Sequence, residues 1–123
     1  MTDVKPRARS ILVVDDDDLL RDLVSECLQM AGHSVSAFSS GQEALRHCRD
    51  QPVDLLITDL TMPDMPGTEL ADRVRRVRPG CRLLFVSGLS HGPEGLPLGA
   101  ELLAKPFTPV DLMSAVSRAL AGR

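Results

Sequence analysis

Apolar runs about the length of a strand return five times along the chain, ILVV (11–14), VSAF (35–38), VDLLIT (53–58), RLLFV (82–86) and ELLA (101–104), with helical spacing between them. Their hydrophobicity is largely continuous, which marks strands covered on both faces, as in a parallel sheet. Between the first two runs Leu20, Leu23, Val24, Cys27, Leu28 and Ala31 recur at helical spacing, and Gly32 supplies a stop. Ser40-Gly41-Gln42-Glu43 is a capping box that opens a second helix. A third begins near Gly67 or Thr68 and ends by Pro79-Gly80. The last begins at Thr108, with Pro109 in its first turn and Asp111 near the positive end of the dipole. This βα alternation predicts an α/β fold with a doubly wound parallel sheet of five strands and helices on both faces. The helix between the fourth and fifth strands is the weak element. SGLSHGPEGLPLGAELLAK, from Ser87 to Lys105, leaves Pro93, Gly95, Pro97 and Gly99 little room for two uninterrupted turns, so a short, distorted helix or a loop is expected.

A chain of 123 residues with 43% hydrophobic and 25% charged residues is expected to form one soluble core, with residues 1–9 as a flexible tail and 10–123 as the domain. No apolar run approaches bilayer length, and MTDVKPRARS lacks the hydrophobic region of a secretion signal, so a cytoplasmic protein is expected. The formal net charge of −3 argues against a nucleic-acid binder. Lys5, Arg7 and Arg9 read as a solvated tail, and Arg73, Arg75, Arg76 and Arg78 as the wet face of a helix. Cys27, Cys48 and Cys81, odd in number and far apart, read as packing residues. His33, His47 and His91 lack ligand spacing and read as surface residues. With Phe38, Phe85 and Phe107 as the only aromatic residues, aliphatic side chains must fill the core.

Open parallel sheets bind ligands at the carboxyl ends of their strands. Asp15 and Asp16 follow the first strand and Asp59 follows the third, so neighbouring first and third strands would bring three carboxylates together. Like charges so close raise one another's pKa, and Mg²⁺, which prefers oxygen ligands, removes the conflict. The loop after Asp59, with Pro63, Pro66 and Gly67, cannot regularise, which lets the Thr61 backbone carbonyl turn towards the same ion. Ser87 ends the fourth strand with a hydroxyl, and Lys105 follows the fifth with an ammonium. Around a phosphoryl group these two would neutralise its equatorial oxygens. Asp17 and Asp18 read as a helix cap and a dipole partner, and Asp64 as a turn former.

VVDDDD, ITDLTMPDMPG, FVSG and KPF, in this order and on these elements, resemble the receiver domain of bacterial two-component response regulators, from about residue 10 to the C-terminus. The resemblance implies a flavodoxin-like sheet in strand order 2-1-3-4-5. It implies Asp59 as phosphoacceptor, Asp15 and Asp16 as the acidic pair for Mg²⁺, Ser87 and Lys105 as phosphoryl contacts, and a cis Lys105-Pro106 bond. The family usually carries an aromatic switch residue where this chain has Leu102, a departure similar to receivers of hybrid histidine kinases and to stand-alone relay receivers. Leu19 falls beside the inward stripe of the first helix, either as a lone surface leucine or as a docking contact for a four-helix phosphodonor. The partners implied are a histidine kinase or histidine phosphotransfer protein and a downstream protein effector, with neither nucleic acid nor membrane bound directly, and with the protein a monomer or weak dimer. No output domain is expected after Arg123, so any effect is expected to pass through another protein. The only chemistry expected is self-phosphorylation from a donor and autodephosphorylation. The rival readings are a docking domain without turnover and a Mg²⁺-dependent aspartyl phosphatase. The second conflicts with Thr61, where such enzymes place an acid.

Overall fold

A computed structural model describes residues 8–88, 96–97 and 99–121. In chain order the elements are β1 (Ser10–Val14), α1 (Asp18–Met30), β2 (Ser34–Phe38), α2 (Gly41–Asp50), β3 (Leu55–Asp59), α3 (Gly67–Val77), β4 (Arg82–Ser87), β5 (Glu101–Ala104) and α4 (Pro109–Ala121). All strand pairs are parallel, in the order β2-β1-β3-β4-β5. The expected α/β class, doubly wound architecture and strand order are therefore those of the molecule.

The period-two alternation of strand side chains explains the continuous apolar runs. Ile11, Val13, Leu55, Ile57, Leu84, Val86 and Leu103 face α1 and α4, where Val24, Leu28, Leu112, Ala115 and Val116 complete one buried cluster. Leu12, Val14, Leu56, Leu83 and Phe85 face α2 and α3, packing with Ala44, Leu45, Cys48, Leu70 and Val74 in the other. Among the described residues Phe85 is the one fully buried aromatic ring, and aliphatic side chains, with Met62, Met65, Cys48 and Cys81, fill the rest of both layers. Cys48 and Cys81 are buried and all three cysteines are free, in keeping with packing roles.

Helix ends follow local chemistry. Asp17 caps α1 by accepting from the Leu20 amide, Asp18 lies in its first turn, and Gly32 beyond its end has φ +93°. Ser40 accepts from the Glu43 amide at the head of α2. Thr108 and Asp111 form a reciprocal box at α4, each backbone N–H donating to the other's side chain at 3.0 and 3.1 Å.

Four details differ from the sequence reading. Strand β3 starts at Leu55 rather than Val53, because Asp54 turns its carboxylate to the Ser10 amide, 2.8 Å away. Arg9, expected in the tail, is half-buried, and its amide donates to Nδ1 of His33 at 3.1 Å. Arg75 and Arg78 are not simply solvated: they donate to the carbonyls of Cys81 and Cys48, whereas Arg73 and Arg76 pair with Glu69 and Asp72 on the helix surface. His47 is half-buried against the Phe38 ring, with centroids 5.4 Å apart. The short helix or loop expected between β4 and β5 lies largely outside the described residues, as do His91, Lys5 and Arg7. Among the described residues no helix is long and apolar enough to cross a membrane.

Candidate functional site

Register builds the site. Val14 lies level with Thr58 in the β1/β3 ladder, so Asp15 and Asp59 emerge side by side. Asp59 is level with Val86, and Ser87 with Ala104, which brings Ser87 and Lys105 to the same edge. Backbone bonds prolong the ladders past the strand ends: the Asp15 amide donates to Phe38 at 3.2 Å, Leu60 to Val86 at 3.0 Å and Lys105 to Ser87 at 2.7 Å. Alternation then carries Asp15, Asp59 and Lys105 to the face shared with Val13, Ile57 and Leu103.

The side chains converge. Lys105 Nζ is 2.9 Å from Asp59 Oδ2 and 3.6 Å from Asp15 Oδ2. Asp15, Asp16 and Asp59 each offer a carboxylate oxygen, all within 4.8 Å of one another. Asp15 is buried at 4% exposure, Asp16 is exposed, and the Asp59 side chain is 13% exposed. Asp59 Oδ1 accepts from the Thr61 amide at 3.0 Å, so both oxygens of that carboxylate are oriented. Ser87 is buried at 2%. The Lys105-Pro106 peptide is cis, as the resemblance implied.

The electrostatics favour one more cation. Burial pushes the Asp15 carboxyl above its ordinary range. The Asp17 amide, 2.9 Å from Oδ1, and the Lys105 charge oppose that rise, while Asp59 and Asp16 add to it. Burial would lower the pKa of Lys105, but its hydrogen bond to Asp59 and the charge of Asp15 outweigh this and leave it raised. One ammonium against three carboxylates leaves an excess of negative charge on hard oxygen donors. That donor set fits Mg²⁺.

Arg21 had gone unassigned in the sequence reading, and Asp64 had been given too small a part. Arg21 donates to the Asp15 carbonyl at 2.8 Å and to Asp18 at 2.7 Å, bracing the turn that carries the acidic pair. The i,i+3 spacing of Asp18 and Arg21 signals their pair, but nothing local signals the carbonyl contact. Asp64 is more than a turn former: it accepts from the backbone amides of Gly41 and Gln42, both at 3.1 Å. Residues so far apart in the chain meet only in the folded molecule. Leu102 lies level with Phe85 and, half-buried, packs against the α2/α3 cluster beside Leu96 and Ala100. Leu19 is 71% exposed and lines a groove with Leu20, Leu23, Lys105, Pro106 and Phe107.

Residues 11–117 match the family model described as the response regulator receiver domain. The response regulator receiver protein CpdR of Brucella abortus (strain 2308) is 32% identical over 116 residues, covering 91% of this chain and 97% of that protein. The DNA-binding transcriptional regulator NtrC of Azospirillum brasilense is 37% identical over 92% of this chain, which spans only 24% of that longer protein. Among solved structures, the response regulator protein TrrA of Thermotoga maritima, in complex with Mg(2+)-BeF, superposes with a TM-score of 0.80 at 31% identity, covering 91% of this chain and 99% of that one.

Proposed function

The chain belongs to the response regulator receiver domain family, a family of two-component signalling modules, and on that premise we propose that Asp59 is its phosphoacceptor. One observation carries the assignment: Asp59 is the strand-end carboxylate that Lys105 touches directly, at 2.9 Å, inside the cluster of three acids. An Asp59 carboxylate oxygen attacks the phosphorus of a phosphohistidine donor. The P–N bond breaks, a P–O bond forms, and the imidazole leaves with its electron pair. Water later attacks the phosphorus, releasing inorganic phosphate and restoring the carboxylate. This cycle is the only chemistry proposed for the chain.

Asp15, Asp16, Asp59 and the Thr61 backbone carbonyl would hold Mg²⁺, which when bound supplies positive charge for the phosphoryl oxygens. The chain's own groups do the rest. Hydrogen bonds from Lys105 and the Thr61 amide hold the Asp59 carboxylate in one orientation before attack. Lys105 then follows the negative charge to the incoming phosphoryl oxygens, with the Ser87 hydroxyl as the second contact. The apolar groove around Leu19 borders Lys105, so a helical protein carrying the phosphohistidine would cover Leu19, Leu23 and Phe107 as it reaches Asp59. Leu102 has no ring or phenolic hydroxyl, so a switch at that position works through aliphatic packing. A downstream protein effector reads the result in the cytoplasm, and the domain from residue 10 onward acts as one unit.

Incubation with Mg²⁺ and acetyl phosphate is expected to add a single phosphoryl group by intact mass, and Asp59→Asn to add none. Equal uptake by the variant would overturn the assignment.

A further inference from the structure

We propose that Asp64 is a positioning residue for the phosphoacceptor pocket, acting by tying the loop after Asp59 to the N-terminus of α2. The proposal rests on the reading of Asp59 and Thr61 given above. The loop from Leu60 to Pro66 contains two prolines, Pro63 and Pro66, which have no N–H to give to an internal hydrogen-bonded turn. Its ends are fixed: the Thr61 amide donates to Asp59 Oδ1 at 3.0 Å, and the Gly67 amide donates to the Leu60 carbonyl at 2.8 Å. Its middle is held from outside. The two Asp64 oxygens accept separately from the first two amides of α2, Gly41 and Gln42, at 3.1 Å each. A carboxylate there also meets the positive end of the helix dipole.

Packing reinforces the same attachment. Met65 is 5% exposed and lies so close to Gly41 that a Cβ there would be 2.7 Å from its sulfur. Glycine at the head of α2 is what lets the loop approach. Nor is Asp64 needed as the helix's ordinary cap, because Ser40 already accepts from the Glu43 amide and the Ala44 amide bonds to the Ser40 carbonyl. The carboxylate takes the two remaining amides of the first turn. With those two bonds made, the loop has little freedom to turn the backbone on either side of Thr61, whose N–H orients Asp59 and whose carbonyl is the one assigned to the metal. Asp64 touches no reacting atom, and its effect passes through the backbone at Thr61.

Asp64→Ala, Asp64→Asn and Ser40→Ala are compared in the full chain. The alanine variant at 64 is expected to speed amide hydrogen exchange at Thr61 and Gly67, raise the Mg²⁺ dissociation constant roughly tenfold, and slow phosphorylation by acetyl phosphate. Asp64→Asn, which keeps one carbonyl acceptor, falls between it and wild type. Ser40→Ala, which weakens the same helix terminus without touching the loop, speeds exchange in the first turn of α2 and leaves Mg²⁺ affinity unchanged. The inference is overturned alone if wild type binds Mg²⁺ and takes up a phosphoryl group while Asp64→Ala does both within about twofold of it, or if Ser40→Ala loses Mg²⁺ affinity equally. Wild type that does neither overturns the reading of the pocket together with this one.

Discussion

Gly67→Ala tests how tightly the backbone is drawn around the phosphoacceptor. A Cβ at Gly67 would lie 2.2 Å from the Asp59 carbonyl oxygen and 3.0 Å from both the Asp59 carbonyl carbon and Leu60 Cα. Ordinary carbon–oxygen contacts run at about 3.3 Å or more, so roughly 1 Å of movement is required. Neither side can yield freely. Asp59 is paired with Val86 in the ladder, and the Gly67 amide is bonded to Leu60 at 2.8 Å. Backbone overpacking of this kind costs about 1–3 kcal/mol, and a strained hydrogen bond adds about 1 kcal/mol. A net loss of about 3 kcal/mol is expected, which in a domain of this size lowers Tm by roughly 10 °C. Urea melts followed by far-ultraviolet circular dichroism measure it, since the chain has no tryptophan. Gly80→Ala is the reference: nothing lies within 4 Å of its added Cβ, so loss of unfolded-chain entropy should make it neutral or stabilising by up to about 1 kcal/mol. Gly41→Ala should fall between, because the atom it meets belongs to the flexible Met65 side chain. If Gly67→Ala melts like Gly80→Ala, the close approach of α3 to the Asp59 carbonyl does not exist in solution.

Two further outcomes follow from the charges. Burial pushes the Cys81 thiol up to about 12 from an ordinary 9.0, so the folded state keeps a proton that the unfolded state has lost. This contribution to stability is intact below pH 9 and falls by about 1.4 kcal/mol per pH unit as pH rises towards 12; Cys81→Ala should have a measurably flatter alkaline slope in denaturant melts, and an identical slope would contradict the burial argument. Burial raises the Asp15 carboxyl above its ordinary range, so its charge is less favourable in the fold than in the unfolded chain. At neutral pH and without Mg²⁺, Asp15→Asn should therefore be at least as stable as wild type. With Mg²⁺ at a hundredfold its dissociation constant, wild type should gain about 2.7 kcal/mol while the variant gains much less. Calorimetry showing equal gains would remove Asp15 from the proposed ligand set.

Much of this molecule is legible in one dimension because its signals are local. An uninterrupted run such as Ile11 to Val14 can be satisfied only where both faces are covered, and the structure covers them with α1 and α4 on one side and α2 and α3 on the other. Asp17, Ser40 and Thr108 declare helix starts because a cap and its amide lie within a turn of each other. The polar residues at four strand tips announce a site because a parallel sheet has one carboxyl edge. Their ladder partners, by contrast, are set by the whole sheet: that Asp15 emerges level with Asp59, within reach of Lys105, follows from the pairing of Val14 with Thr58 and of Ser87 with Ala104.

The sequence by itself determined the elements, the class of sheet and the chemical character of its edge, since each depends on residues a few positions apart. Tertiary structure alone decided which groups serve two elements at once. Asp64 is an unremarkable loop acid until α2 offers it two amides, Arg78 a surface charge until the Cys48 carbonyl receives it, and Gly67 an ordinary helix start until the Asp59 carbonyl leaves no room for a methyl group. The physical reason is common to all three: a hydrogen bond or a steric limit between distant residues exists only once the chain between them has closed, and no local pattern records it.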